Sequence, residues 1–205
     1  MPKNKSFEPR ETFIRKYDIK VPKERFLIIC EGKETEPNYF RAFHVSSAII
    51  MVKGLGANTD SLIRSTIKLK NDALENDEPF DQVWCVFDRD SFPAQNYNSA
   101  FELAKNNNIS VAYSNQAFEL WYLLHFNYYD TALSRNQYED KLTELLKKKY
   151  RKNSETMYIE LLDKQQTAIK NAQRLLNTYQ PNHNPEKDNP STSVHLLVQE
   201  LNRFI

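Results

Sequence analysis

The order of apolar and polar positions along the chain predicts strands that alternate with helices. Between the strands, residues 58–74 and 95–107 place apolar side chains at helical spacing, and a short helix is expected to begin near Thr35. Such alternation is typical of βαβ units, so we predict an α/β fold with a mainly parallel, four-stranded sheet flanked by helices. The predicted strands are RFLIIC (25–30), AIIMV (48–52), QVWCVF (82–87) and ISVAY (109–113).

The second half of the chain is predicted to be mainly helical. AFELWYLLHF is apolar nearly all round, which is typical of a buried helix. Residues 158–179 and 191–205 each place apolar side chains on one face, which predicts two amphipathic helices with a proline-rich loop between them. Asn189, Ser191 and Thr192 stand where the N-terminal cap of the last helix is expected.

Length and composition favour one folded domain behind a basic arm. The 205 residues suffice for a single domain with a substantial core, which we assign to residues 25–205, with an α/β core (25–126) and a helical extension (127–205). Residues 1–24 are rich in Lys, Arg and Pro, which predicts an extended arm. Because the formal net charge is only +1, any attraction for nucleic acid must be local.

The sequence also predicts a reduced, cytoplasmic protein. Its first residues lack the apolar segment of a secretory signal, and no apolar run reaches the length of a membrane span. Cys30 and Cys85 fall in predicted buried strands and lack the C-x-x-C spacing of zinc or redox sites. We therefore expect two free thiols and no membrane partner.

Four acidic side chains are predicted to approach one edge of the sheet. Glu31 directly follows the first strand, Asp88 directly follows the third, and Asp90 lies two residues further on. Glu119 comes after the fourth strand, in the first turn of the buried helix, which is expected to begin near residue 114 or 115. Since functional groups of parallel sheets gather at the carboxyl ends of the strands, these carboxylates have a route to a single site.

Each of these acids also has a structural interpretation. Glu31 fits a loop carboxylate, the D-R-D run fits a turn, and Glu119 fits the positive end of its helix or a buried basic partner. Together, however, several carboxylates at one edge repel one another unless a cation neutralises them. Oxygen ligands of this kind suit Mg²⁺ or Mn²⁺, so the set as a whole favours a metal site.

Two of these motifs resemble a Toprim domain, and four segments together resemble the RloB family, which is associated with restriction and abortive-infection loci. The Toprim-like pair is CEG after the first strand and FDRD after the third. The more specific match to the RloB family consists of IICEGKETEPNYF, VFDRDSF, SNQAFELWYLLHF and NPSTSV. Where many Toprim domains have an aspartate shortly after the Glu-Gly pair, this chain offers Glu34 or Glu36, which leaves the metal shell open.

The resemblance implies a Toprim-like fold and a divalent-metal-dependent nuclease of prokaryotic anti-phage defence, with RNA, including tRNA, or DNA as substrate. By position, it makes Glu31, Asp88 and Asp90 the candidate catalytic residues, with Glu31 as general acid or base. The same three residues and Glu119 are the candidate ligands of Mg²⁺ or Mn²⁺.

A second hypothesis is a non-catalytic module that binds nucleic acid or a partner ATPase. The dense basic run KKKYRK fits a solvated helix end and a phosphate-binding surface equally, with the adjacent Tyr150 as a further contact. His125, within the apolar helix, is interpreted as a core histidine, and the oligomeric state stays open. The candidate nucleic-acid-binding residues are Lys147, Lys148, Lys149, Arg151 and Lys152.

Overall fold

Strands and helices alternate along the first half of the structure, as the apolar pattern predicts. A computed structural model of the chain describes residues 23–45, 47–56, 59–89 and 93–205. Its strands are β1 (Glu24–Cys30), β2 (Ala48–Gly54), β3 (Gln82–Asp88), β4 (Ser110–Asn115) and β5 (Ser191–Thr192). Its helices are α1 (Thr35–Arg41), α2 (Thr59–Glu75), α3 (Ala94–Asn106), α4 (Glu119–Leu124), α5 (Arg135–Leu146), α6 (Met157–Leu161), α7 (Gln165–Asn177) and α8 (Val194–Asn202).

The strands form one mostly parallel sheet in the order β2–β1–β3–β4–β5. The first four are parallel to their neighbours, whereas β5 pairs antiparallel with β4. The predicted α/β class is confirmed, and the sheet is consistent with a Toprim-like fold. Burial explains the continuous apolar runs: Phe26 and Ile28 pack on one face of the sheet and Leu27 and Ile29 on the other, so both faces of β1 are buried from Phe26 onwards.

The prediction of four strands is wrong, because Ser191 and Thr192 form a fifth strand instead of a helix cap. This strand is too short and too polar to give an apolar signal. Side-chain hydrogen bonds hold it: the Thr192 hydroxyl donates to the Tyr113 carbonyl at 2.8 Å and lies 3.0 Å from the Ser114 hydroxyl. The last helix consequently begins at Val194, after the strand.

Three further boundaries differ from the prediction. The helix predicted over residues 158–179 is α6, a 3-10 turn (Leu162–Lys164) and α7 in succession, although its apolar face is buried as expected. The strand β4 continues to Asn115, so α4 begins only at Glu119. Residues 1–22 of the predicted arm lie outside the described part of the chain, and Glu24 already belongs to β1.

Both cysteines are buried free thiols, as predicted, and the Cys85 sulfur lies 3.1 Å from the Thr66 hydroxyl. Burial raises the pKa of Cys85 to about 12, which keeps this thiol protonated near neutral pH. None of the described helices is both long enough and apolar enough to cross a membrane.

Adjacent leucines of α8 test how this helix is held. Leu197 is fully buried in the core, whereas Leu196 is 45% exposed. We expect Leu197→Ala to lower the free energy of unfolding by about 3 kcal/mol, because it removes buried methyl groups and leaves a cavity. Leu196→Ala should change it by less than about 1 kcal/mol. Urea unfolding followed by circular dichroism measures both, and equal effects would contradict the placement of α8.

Candidate active site

The structure brings Glu31 and Asp88 together at the carboxyl edge of the sheet. The backbone N–H of Asp88 donates to Glu31 Oε2 at 3.2 Å, and the backbone N–H of Glu31 donates to the Val86 carbonyl at 2.9 Å. These contacts follow from the parallel pairing of β1 with β3, in which Cys30 lies opposite Val86. Asp90 lies outside the described residues, so its proposed role stays a prediction.

Glu36 is also part of this edge, although the sequence left its role open. It is only 5% exposed, and its carboxylate lies against Gly32, where a side chain would collide with it. Burial raises the pKa of Glu36 above its ordinary value of 4.5, and the charge of Glu119 adds to this effect. Hydrogen bonds from backbone N–H groups at Glu36 and Gly32 oppose it, as does the charge of Arg135. Glu34, in contrast, is exposed.

Glu119 stands where the sequence placed it, in the first turn of the buried helix. It is 4% exposed and accepts a hydrogen bond of 3.0 Å from the Tyr150 hydroxyl. Burial, followed by the charge of Glu119, raises the pKa of Tyr150, so the phenol stays protonated and remains a donor. Tyr150 thus points into the protein, and its predicted place on a nucleic-acid surface is wrong.

Asp88 is the carboxylate on which the cluster converges. Its side chain is 13% exposed. Burial raises the pKa of Asp88 well above its ordinary value of 3.8, and the charges of Glu36 and Glu119 raise it further. Arg135 opposes this shift, while Glu31 adds to it. The candidate site therefore contains four carboxylates whose charges act on one another: Glu31, Glu36, Asp88 and Glu119.

Two side chains of α5 face the same cluster and were missed by the sequence analysis. Arg135 Nη2 lies 3.4 Å from Asp88 Oδ2. One turn further, Tyr138 is fully buried, and its hydroxyl has no hydrogen-bond partner among the described residues. Burial raises the pKa of Tyr138, and the charges of Asp88 and Glu119 contribute. The S-R-N-Q capping box marks the start of α5 in the sequence, but no sequence pattern connects this helix to Asp88.

The donor set at Asp88 fits a hard divalent cation. Asp88 Oδ1 is buried and accepts no hydrogen bond from the residues that the structure describes. Those residues contain no group of three or more His, Cys, Asp or Glu side chains arranged to hold a metal ion. Magnesium does not require such a cage, since it commonly binds through one or two carboxylates and completes its shell with water and substrate phosphate. Asp88 would be the primary ligand.

The basic run after α5 lies beside the N-terminus of α1. Lys148 pairs with Glu160 at 2.7 Å, and Lys152 pairs with Glu139 at 3.2 Å. The Thr35 hydroxyl donates to the Lys152 carbonyl at 3.0 Å, which fastens this segment next to the CEG turn. All five predicted nucleic-acid-binding residues of the run are exposed, and their binding role stays a prediction.

His125 is the core histidine that the sequence indicated. Its Nδ1 lies 2.9 Å from the Trp121 carbonyl, one turn earlier in the chain. Burial lowers the pKa of His125 to about 4, so the ring is neutral near pH 7. It takes no part in the acidic cluster.

The proline-rich loop before β5 closes the same edge of the sheet, which the sequence did not indicate. Glu186 pairs with Arg89 at 2.9 Å, and both side chains are largely buried. Further along the loop, Asp188 Oδ2 lies 2.6 Å from His183 Nδ1, and the other ring nitrogen lies 2.8 Å from the Tyr113 hydroxyl. The pair with Glu186 thus connects this loop to Arg89, the residue that follows Asp88.

Comparison with known proteins connects this site to one family. The family model described as RloB-like protein matches residues 26–201, which include most of β1 and all of β3, α4 and α5. Comparison with curated proteins and with solved structures finds no match.

Replacing Glu36 tests the burial of charge at this site. Because the pKa of Glu36 is raised in the folded protein, its stabilising contribution is complete below the ordinary carboxyl pKa and is lost as the pH rises through the raised value. Glu36→Gln should therefore raise the free energy of unfolding at pH 8, measured in urea with EDTA. This gain should shrink as the pH falls towards 4.

The exposed neighbour Glu34 provides the matched control. Glu34→Gln should change the free energy of unfolding by less than about 0.5 kcal/mol at either pH. A loss of stability in Glu36→Gln that is equal at pH 8 and pH 4 would contradict the assignment of a buried, charge-strained carboxylate.

Proposed function

We propose a nuclease function for this chain, which belongs to the RloB-like protein family. The proposed activity is divalent-metal-dependent cleavage of phosphodiester bonds in prokaryotic anti-phage defence, with RNA, including tRNA, as the first substrate to examine. The substrate class rests on analogy with Toprim-like defence effectors. The observation that carries the proposal is the buried, unsatisfied Asp88 Oδ1 amid three further carboxylates.

In this proposal, Asp88 and Asp90 bind the cation and Glu31 moves the proton. When bound, Mg²⁺ or Mn²⁺ would neutralise phosphate charge and polarise the phosphorus centre. Glu31 is held by the Asp88 backbone N–H, so its carboxylate is oriented beside the proposed metal ligand. Glu36 and Glu119 act on Asp88 from buried positions, and negative charge on either of them favours a cation over an anion there.

A second candidate function is supported by the ion pair between Asp88 and Arg135. Here the protein already supplies a cation to Asp88 and a phenol to Glu119. Such compensation also suits a non-catalytic module, in which the acids are structural and the exposed lysines near the CEG turn contact nucleic acid or a partner ATPase.

Removing the proposed proton-transfer group tests the nuclease hypothesis. Purified protein is incubated with RNA and with DNA in Mg²⁺ or in EDTA. We expect cleavage in Mg²⁺ and none in EDTA. In Mg²⁺, Glu31→Gln should lower the cleavage rate at least about 100-fold, since general acid–base catalysis contributes on that order. The amide oxygen of glutamine retains the contact to the Asp88 N–H, and Glu34→Gln serves as the control with unchanged activity.

The same variants distinguish the two functions in cells. Under the nuclease hypothesis, Glu31→Gln abolishes protection in a phage challenge while Glu34→Gln retains it. The wild type could instead fail to cleave nucleic acid while Asp88→Asn still binds it. That result would contradict the nuclease hypothesis and support the non-catalytic binding module.

A further inference from the structure

The ion pair between Arg135 and Asp88 is long and lies at the border to solvent. Its N–O distance is 3.4 Å, whereas charge-assisted hydrogen bonds are typically about 2.7–2.9 Å. Arg135 is the first residue of α5, and its side chain is 34% exposed. It therefore borders solvent as well as the acidic cluster. The neighbouring pair of Arg89 with Glu186 differs in both respects, with a distance of 2.9 Å and an Arg89 exposure of only 16%.

Arg135 acts on more than one acid of the cluster. Its charge opposes the raised pKa of Asp88 and also that of Glu36. With Nη2 at 3.4 Å from Asp88 Oδ2, the charge of Arg135 lies beside the carboxylate that a divalent cation would bind. A cation that binds Asp88 must overcome the repulsion of this guanidinium or displace it.

The cluster contains a second group that is poised for a ligand. Tyr138, one turn along α5 from Arg135, buries a hydroxyl that has no hydrogen-bond partner within the described residues and responds to the charges of Asp88 and Glu119. A guanidinium at the solvent border and a donor phenol behind it make the α5 face suitable for the oxygens of a phosphate.

We propose that Arg135 is a displaceable counter-ion, which neutralises Asp88 in the metal-free protein and contacts the substrate phosphate once a divalent cation binds. The inference rests on the proposed metal-dependent function and adds to it a control on metal loading. In the metal-free state, the Arg135–Asp88 pair lowers the affinity for cations. In the loaded state, the released guanidinium provides part of the phosphate affinity, so that metal and nucleic acid favour each other's binding.

The guanidinium of Arg135 lies 3.4 Å from Asp88 Oδ2, so its charge repels any cation that approaches this carboxylate. Arg135→Gln removes the repulsion, and metal affinity should therefore rise in this variant.

The test measures Mn²⁺ binding by isothermal titration calorimetry, without substrate or turnover. Arg135→Gln should bind Mn²⁺ about tenfold more tightly than the wild type. Arg64→Gln is the matched control, since Arg64 also lies in the first turns of a helix and pairs with an aspartate, Asp60, at 2.8 Å. This control should leave Mn²⁺ affinity unchanged.

A second titration measures binding of a cleavage-resistant 2′-O-methyl oligoribonucleotide in saturating Mn²⁺. Arg135→Gln should bind it about tenfold more weakly than the wild type, whereas Arg135→Lys, which keeps the charge, should recover part of the affinity. If Arg135→Gln binds either Mn²⁺ or the oligonucleotide with unchanged affinity, the proposal that a cation displaces Arg135 from Asp88 is wrong. Equal Mn²⁺ binding by all variants overturns this inference alone, whereas absence of Mn²⁺ binding in all of them overturns the metal-dependent function as well.

Discussion

The need to neutralise several carboxylates that the fold buries together is the constraint on which this end of the molecule depends. An isolated buried charge is costly, so each acid requires a proton, a donor or a cation. Two of the groups that meet this need come from distant parts of the chain, since Tyr150 binds Glu119 and Arg135 pairs with Asp88. The third need is met locally, by backbone N–H groups at Glu36 and Gly32. Packing of α1, α4 and α5 around the sheet edge is thus tied to the electrostatics of the acids.

This arrangement explains how a cluster that lowers folding stability at neutral pH suits the proposed chemistry. Glu36 and Glu119 are buried, and their charges raise the pKa of Asp88. Asp88 Oδ1 accepts no hydrogen bond from the described residues, so a bound cation would stabilise this oxygen most. Arg135, at the border to solvent, supplies a long ion pair to Asp88, which in our proposal a divalent ion replaces.

Much of the fold and half of the site follow from the sequence, because local pattern and strand direction are sufficient for them. The continuous apolar runs correctly indicated parallel strands buried on both faces. The direction of these strands also correctly predicted that Glu31 lies close to Asp88. The remaining features depend on contacts between distant residues. The strand β5 is a polar dipeptide held by hydrogen bonds to β4, and Arg135 reaches Asp88 across 47 positions of sequence. For Glu36, Gly32 was the available signal, since a side chain at position 32 would collide with the Glu36 carboxylate.

The central claim is that Asp88 is the anchor of a divalent-cation site. It is tested most directly by anomalous X-ray diffraction at the manganese edge from crystals grown in saturating Mn²⁺. The account predicts an anomalous peak at about 2.1 Å from Asp88 Oδ1, with the Arg135 guanidinium moved away from Asp88. A structure under the same conditions with no peak near Asp88 and with the Arg135–Asp88 pair intact would contradict it.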